Sequence, residues 1–177
     1  WDDGILDVPR PNDNGKALLN LEGLDIIRFS SGGIGDYEIP LINQPHIKVD
    51  KNRDIFASFL CSLAYGRANY GIRKKMVNSL RGKNDYLIQN SSGPGGFGRF
   101  KDIMERSVFS LCPRGYGKSS FRINEALNLG SIPVYLYDDP WVPFKDMVDF
   151  SEYGVLIPES DIPRLDEVLK SYTEEDI

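Results

Sequence analysis

The chain has 177 residues, 41% of them hydrophobic and 27% charged, with a formal net charge of −5, which is the make-up of a globular protein and excludes a disordered or fibrous one. A chain of this length buries roughly 70% of its unfolded surface, enough for one core and an appendage. No apolar run approaches the ~18 residues of a membrane span, and two cysteines provide neither a disulfide framework nor zinc spacing.

Charge is unevenly spread. Residues 55–84 contain no acid and carry Arg67, Arg73, Lys74, Lys75, Arg81 and Lys83, whereas residues 138–177 hold twelve acids against Lys145, Arg164 and Lys170. One basic band in an acidic chain suits a compact anion rather than a nucleic-acid track. The chain starts at Trp1 with no signal-type stretch behind it and reads as a fragment or a processed piece.

In chain order, "GLDIIRFSSGGIGDYEIPLI" predicts a short buried strand through Ile26 and Ile27, a glycine loop and a second extended piece. The composition shift over residues 40–53 marks a linker or domain edge, which divides the chain into 1–45 and 46–177. It holds the single histidine, His46, so no histidine-based triad or cluster can be assembled. "NRDIFASFLCSLAYG" is a strand candidate, and "GIRKKMVNSLRG" places Ile72, Met76, Val77 and Leu80 on one helical stripe with Arg73 and Lys74 off it. "DYLIQN" predicts a strand, "SSGPGGFG" a loop, "RFKDIMERS" a helix and "VFSLCP" another strand. A helix over 119–129 stops at Gly130, "SIPVYLY" and "GVLIP" are strands, and a helix from about Ile162 to Tyr172 closes the chain. Strands alternate with helices from residue 54 onward, which predicts an α/β fold: a Rossmann-like parallel sheet with helices on both faces.

The segment "CPRGYGKSSFRINEAL" poses the functional question. Its Gly117-Lys118-Ser119 ends as a phosphate-binding P-loop ends, but the position of that motif's first glycine is Cys112, followed by Pro113. A side chain and a fixed φ at that point argue against backbone N–H groups wrapping phosphates. The strand, loop and helix-start order remains suited to an anion. Ser119 or Ser120 can cap the helix, and Arg114, Lys118 and Arg122 add positive charge. Glu125 lies one turn in, within reach of a sugar hydroxyl pair attached to that anion, or forms a surface pair with Arg122 at i, i+3. Spacing leaves both open. Trp141, between Pro140 and Pro143, either stacks on a base or sugar or packs its loop onto the core. Cys61 and Cys112 lie in apolar runs and read as buried thiols.

From "FSLCPRGYGKSSFRINEALNLGSIPVYLYDDPWVPFKDMVDFSEYGVLIPESDIPRLDEVL" the chain resembles the carboxy-terminal half of the exostosin glycosyltransferases, with "GIRKKMV" similar to that family's upstream helix and "SSGGIGDYEIPLI" to its domain junction. The resemblance implies a two-domain GT-B architecture, with 1–45 a remnant of the amino-terminal, acceptor-side half and 46–177 the nucleotide-sugar-binding half. It implies inverting transfer from a UDP-sugar donor to a glycan acceptor hydroxyl, with no metal, no nucleic acid and no membrane contact from this segment. The chain has no Asp-x-Asp, and Asp36-Tyr37-Glu38 is the nearest approach. The family's donor-binding positions fall on Arg73, Arg114, Ser119, Ser120 and Glu125, with Arg122 beside them; Lys118 stands in a loop that varies in the family. A general base is needed near the acceptor, and the loop carboxylates Asp36, Glu38 and Asp139 are candidates. The alternatives are a non-catalytic UDP-sugar-binding module and a P-loop-like nucleotide hydrolase.

Overall fold

A computed structural model describes residues 25, 27, 29–31, 36–40, 48, 50–61, 70–90, 96–115 and 117–177. Ile26, the glycines at 32, 33 and 35, His46, Arg67, Tyr116 and the loop 91–95 lie outside the described residues.

Five strands form one parallel sheet: β3 (Ile55–Cys61), β4 (Tyr86–Asn90), β5 (Ser107–Pro113), β6 (Ile132–Tyr137) and β7 (Val155–Pro158), in the spatial order β4-β3-β5-β6-β7. Two short strands, β1 (Phe29–Ser30) and β2 (Tyr37–Glu38), pair in parallel as a separate ribbon. The first strand is therefore shifted from its expected place, for Ile27 is exposed and outside any strand. β5 and β6 are buried on both faces, which is why they read as continuous apolar runs.

Each face of the sheet has its own core. On one, α1 (Tyr70–Ser79) and α4 (Leu165–Lys170) press Ile72, Met76, Leu80, Leu165 and Leu169 onto Ala57, Phe59, Phe109, Leu111, Val134 and Leu136. On the other, α2 (Gly96–Arg106) and α3 (Phe121–Asn128) press Phe100, Ile103, Met104, Ile123 and Ala126 onto Leu60, Cys112 and Tyr135. Each fully buried large aliphatic contributes about 1.5–3 kcal/mol. α2 starts earlier than its sequence suggests, drawing in Gly96 and Gly98, because Phe100, Ile103 and Met104 fix its apolar stripe on the sheet. The closing helix is shorter than expected: Pro163 cannot serve an α-helical interior, so Glu159–Arg164 winds as a 3-10 turn and α4 follows it.

Gly130 ends α3 with φ of +74°. Ser131 N–H donates to Ala126 O at 2.9 Å and Gly130 N–H to Leu127 O at 3.0 Å, a Schellman stop that leads directly into β6.

Candidate functional site

The strand order reverses between β3 and β5: the helix leaving β3 covers one face, the helix leaving β5 the other. Ligands of open parallel sheets bind at such a point, beyond the carboxyl ends of the strands. Arg114, Gly115 and residues 117–120 lie there, between β5 and the start of α3.

Arg114 continues the sheet by donating its N–H to Leu136 O at 2.9 Å. Its side chain is only 11% exposed. Nε donates to Gly117 O at 3.1 Å, and Nη1 donates to both carboxylate oxygens of Asp138, at 2.5 and 2.8 Å. Burial pushes the Asp138 carboxyl up, but the hydrogen bond and charge of Arg114, with the N–H of Asp139, outweigh it and hold the group below the usual carboxylate range. Lys118 sits over the Trp141 ring, 5.7 Å from its centroid, and pairs with Asp139 at 2.5 Å.

Ser119 and Ser120, at the end of this segment, are buried. Gly115 N–H donates to Ser119 O at 3.0 Å, closing the turn. Ser120 occupies the N-cap of α3 in extended backbone geometry, yet its hydroxyl caps nothing. The expected hydroxyl cap is thus corrected: Ile123 N–H, the donor such a hydroxyl would take, goes to the carbonyl of Ser120 at 3.2 Å.

Arg122 lies over two rings, 4.7 Å from the Phe100 centroid and 5.4 Å from that of Phe59, so a cation is held where α2, β3 and α3 meet. Arg122 and Glu125 both act on the Cys112 thiol at the end of β5. Burial raises that thiol far above its ordinary value, while Arg122 draws it down and Glu125 pushes it up. Cys112 is buried and free, so the thiol reading holds; the side chain of Cys61 is not described. Arg73, half-buried in the first turn of α1, stands at the same edge of the sheet on the opposite face.

The geometry disposes of the P-loop. Cys112 and Pro113 are strand residues in register with Tyr135 and Leu136, and Gly117 turns its carbonyl inward to Arg114. The backbone here presents a carbonyl and sheet bonds where a P-loop presents a nest of N–H groups.

The three candidate carboxylates differ in their surroundings. Asp36 is exposed before β2, Asp139 is paired with Lys118, and Glu38 is buried with its Oε1 on Lys145 Nζ at 2.5 Å. Trp141 is buried and packs its loop rather than standing free as a platform. Two participants had no sequence expectation: Asp138 and Tyr135. The Tyr135 hydroxyl donates to Lys118 O and accepts Trp141 N–H at 3.3 Å, linking the loops after β5 and β6. A carboxylate straight after an apolar strand adjacent to β5 was the available signal for Asp138.

The chain is thus of the open parallel α/β class, with arginines and a helix start at the switch point where ligands of such sheets bind. The sequence matches the Exostosin GT47 domain over residues 28–172. The chain is 33% identical over 153 residues to a probable glucuronosyltransferase of Oryza sativa subsp. japonica, covering 81% of this chain and 35% of that protein. It is 47% identical over 78 residues to another probable glucuronosyltransferase of that rice, covering 44% of this chain and 18% of the relative. It is 43% identical over 72 residues to a probable beta-1,4-xylosyltransferase of Arabidopsis thaliana, covering 41% of this chain and 18% of the relative. The chain spans between 17% and 35% of the length of such relatives. It belongs to the exostosin family, and its fold is the Rossmann-like α/β sheet expected of a GT-B half.

Proposed function

We propose that this chain is the donor-binding half of a glycosyltransferase that takes a sugar from a UDP-sugar and passes it, with inversion and without a metal, to a hydroxyl of a glycan acceptor. The observation that carries the reading is the β5–α3 corner, where Arg114, Ser119, Ser120 and Arg122 surround the start of α3 at the switch point. Arg114 and Arg122, with Arg73 across the sheet edge, neutralise the diphosphate as it leaves, so that its charge is met by fixed cations and the helix terminus. Glu125, one turn into α3, accepts hydrogen bonds from the uridine ribose. The names of the relatives favour a glucuronosyl or xylosyl donor. Asp36, Glu38 and Asp139 remain candidate bases, with Glu38 paired to Lys145 and Asp139 to Lys118.

Calorimetric titration with UDP, UDP-glucuronic acid, UDP-xylose and ATP, each with Mg²⁺ and again with EDTA, tests the reading. UDP binding unchanged by EDTA is expected, with Glu125→Ala weakening it by about 1–3 kcal/mol through lost ribose hydrogen bonds. Preference for ATP with Mg²⁺, or unchanged affinity in Glu125→Ala, overturns the reading or the ribose assignment respectively.

A further inference from the structure

The β1–β2 ribbon is tied to the loop after β6 at three points. Trp141 Nε1 donates to Ser30 O at 3.0 Å, Phe144 N–H donates to Glu38 O at 3.3 Å, and Lys145 Nζ pairs with Glu38 Oε1 at 2.5 Å. Glu38 is only 7% exposed, and a carboxylate at such depth needs its counter-ion. Phe144 holds φ of +58°, a strained conformation for a side chain of its size, and its carbonyl accepts the N–H groups of Met147 and Val148 at 2.8 and 3.0 Å. Such strain persists only where surrounding contacts over-determine it.

The same loop begins with Asp138 and Asp139, the partners of Arg114 and Lys118. Between the two ends stand Pro140 and Pro143, whose rings fix φ, and the buried Trp141, so a displacement at 144–145 is not absorbed within the loop. We infer that Glu38 and Lys145 form a positioning latch: their ion pair clamps the ribbon onto the loop and thereby holds Asp138 in register with the Arg114 guanidinium at the diphosphate end of the donor site. The inference rests on the donor-site reading. It gives Glu38, a candidate base by sequence, a role as a positioning residue, its carboxylate occupied by Lys145. Lys145 fits this part, since its hydrogen bond to Glu38 raises its affinity for the proton.

The experiment compares Glu38→Gln, Lys145→Met and the double variant with the wild-type chain, titrating each with UDP and with uridine. Because the latch acts through Arg114, each single variant is expected to lose about tenfold in UDP affinity while uridine affinity is unchanged, and the double variant to lose no more than either. Hydrogen exchange at Trp141 and Phe144 quickens while amides of β5 stay protected. Lys145→Met strands the buried Glu38 carboxylate, whereas the double variant leaves a neutral amide in its place and keeps the test valid even where Lys145→Met fails to fold. Wild-type UDP affinity in Lys145→Met, losses that add in the double variant, or equal losses for UDP and uridine overturn the latch. Absence of UDP binding by the wild-type chain overturns the donor reading and the latch with it, and is read from that titration alone.

Discussion

Arg114, at the end of β5, gives Nη1 to both oxygens of Asp138, the residue that follows β6, at 2.5 and 2.8 Å. The contact converts the pairing of two adjacent strands into a fixed orientation for a guanidinium, whose plane is set by Nη1 on Asp138 and Nε on Gly117 O.

Asp138→Asn keeps the shape and removes the charge opposite a largely buried arginine. A stability loss of about 1–3 kcal/mol is expected, at the lower end of a broken buried pair because Asp138 is 39% exposed. The pH dependence has a defined sign. The Asp138 carboxyl titrates below its unfolded value, so its contribution is fully present above about pH 4 and is lost as pH falls through the lowered folded value. Urea denaturation of wild type and variant from pH 7 to pH 2 should give curves that converge at the acid end.

Tyr135→Phe deletes one oxygen and affects two loops. The ring is fully buried against Tyr137 and Phe150, so the core keeps its volume. Lys118 O loses its donor and Trp141 N–H its acceptor, a cost of about 1–3 kcal/mol in thermal or chemical denaturation. Lower UDP affinity should accompany it, because the loops carrying Arg114 and Asp138 lose one of the ties between them; undiminished affinity would show that the oxygen serves the fold alone.

Much of the sheet was legible because doubly buried parallel strands are short apolar runs punctuated by glycine, as in residues 107–113 and 132–137. The stop at Gly130 was legible for the same local reason. Strand order was not, because it follows from which faces α1 and α3 cover, and no local signal encodes that. The supports of the site were also hidden. Arg114 and Asp138 lie 24 residues apart, Glu38 and Lys145 lie 107, and Ser30 and Trp141 lie 111. Sequence reading reaches the cations on one loop and helix and misses the partners that only the fold brings to them. It also misplaced the strand at Ile27, where apolar composition suggested burial and the side chain is 66% exposed.

Two glycines make a contrasting pair. A Cβ on Gly154 would come within 2.5 Å of Phe150 Cε1 and 2.9 Å of Pro133 O, a ring and a backbone atom in the packed core under β7. Gly154→Ala is therefore expected to destabilise by about 1–3 kcal/mol through overpacking. Gly98 lies within α2 with open space around it, so Gly98→Ala should stabilise by about 0.5–1 kcal/mol. Opposite shifts in melting temperature in the two variants check both.

Asp166 anchors α4 to the far side of the sheet. Its carboxylate accepts from Lys83 Nζ at 2.7 Å and Tyr86 Oη at 3.1 Å, and Lys170 Nζ lies 3.1 Å away. The hydrogen bond from Lys83 leads in lowering this carboxyl to about 2, against an opposing push from burial. Stability contributed by Asp166 is accordingly complete above about pH 4 and lost as pH falls toward 2. Asp166→Asn removes a partly exposed network, so a loss of about 1 kcal/mol at neutral pH is expected, smaller at high salt. Its acid limb should be flatter than that of the wild type, and UDP affinity should be unchanged, because the network lies near the amino end of β4 while the β5–α3 corner lies beyond the carboxyl ends of the strands. Denaturation across pH at low and high salt, alongside one UDP titration, separates this stabilising network from the site.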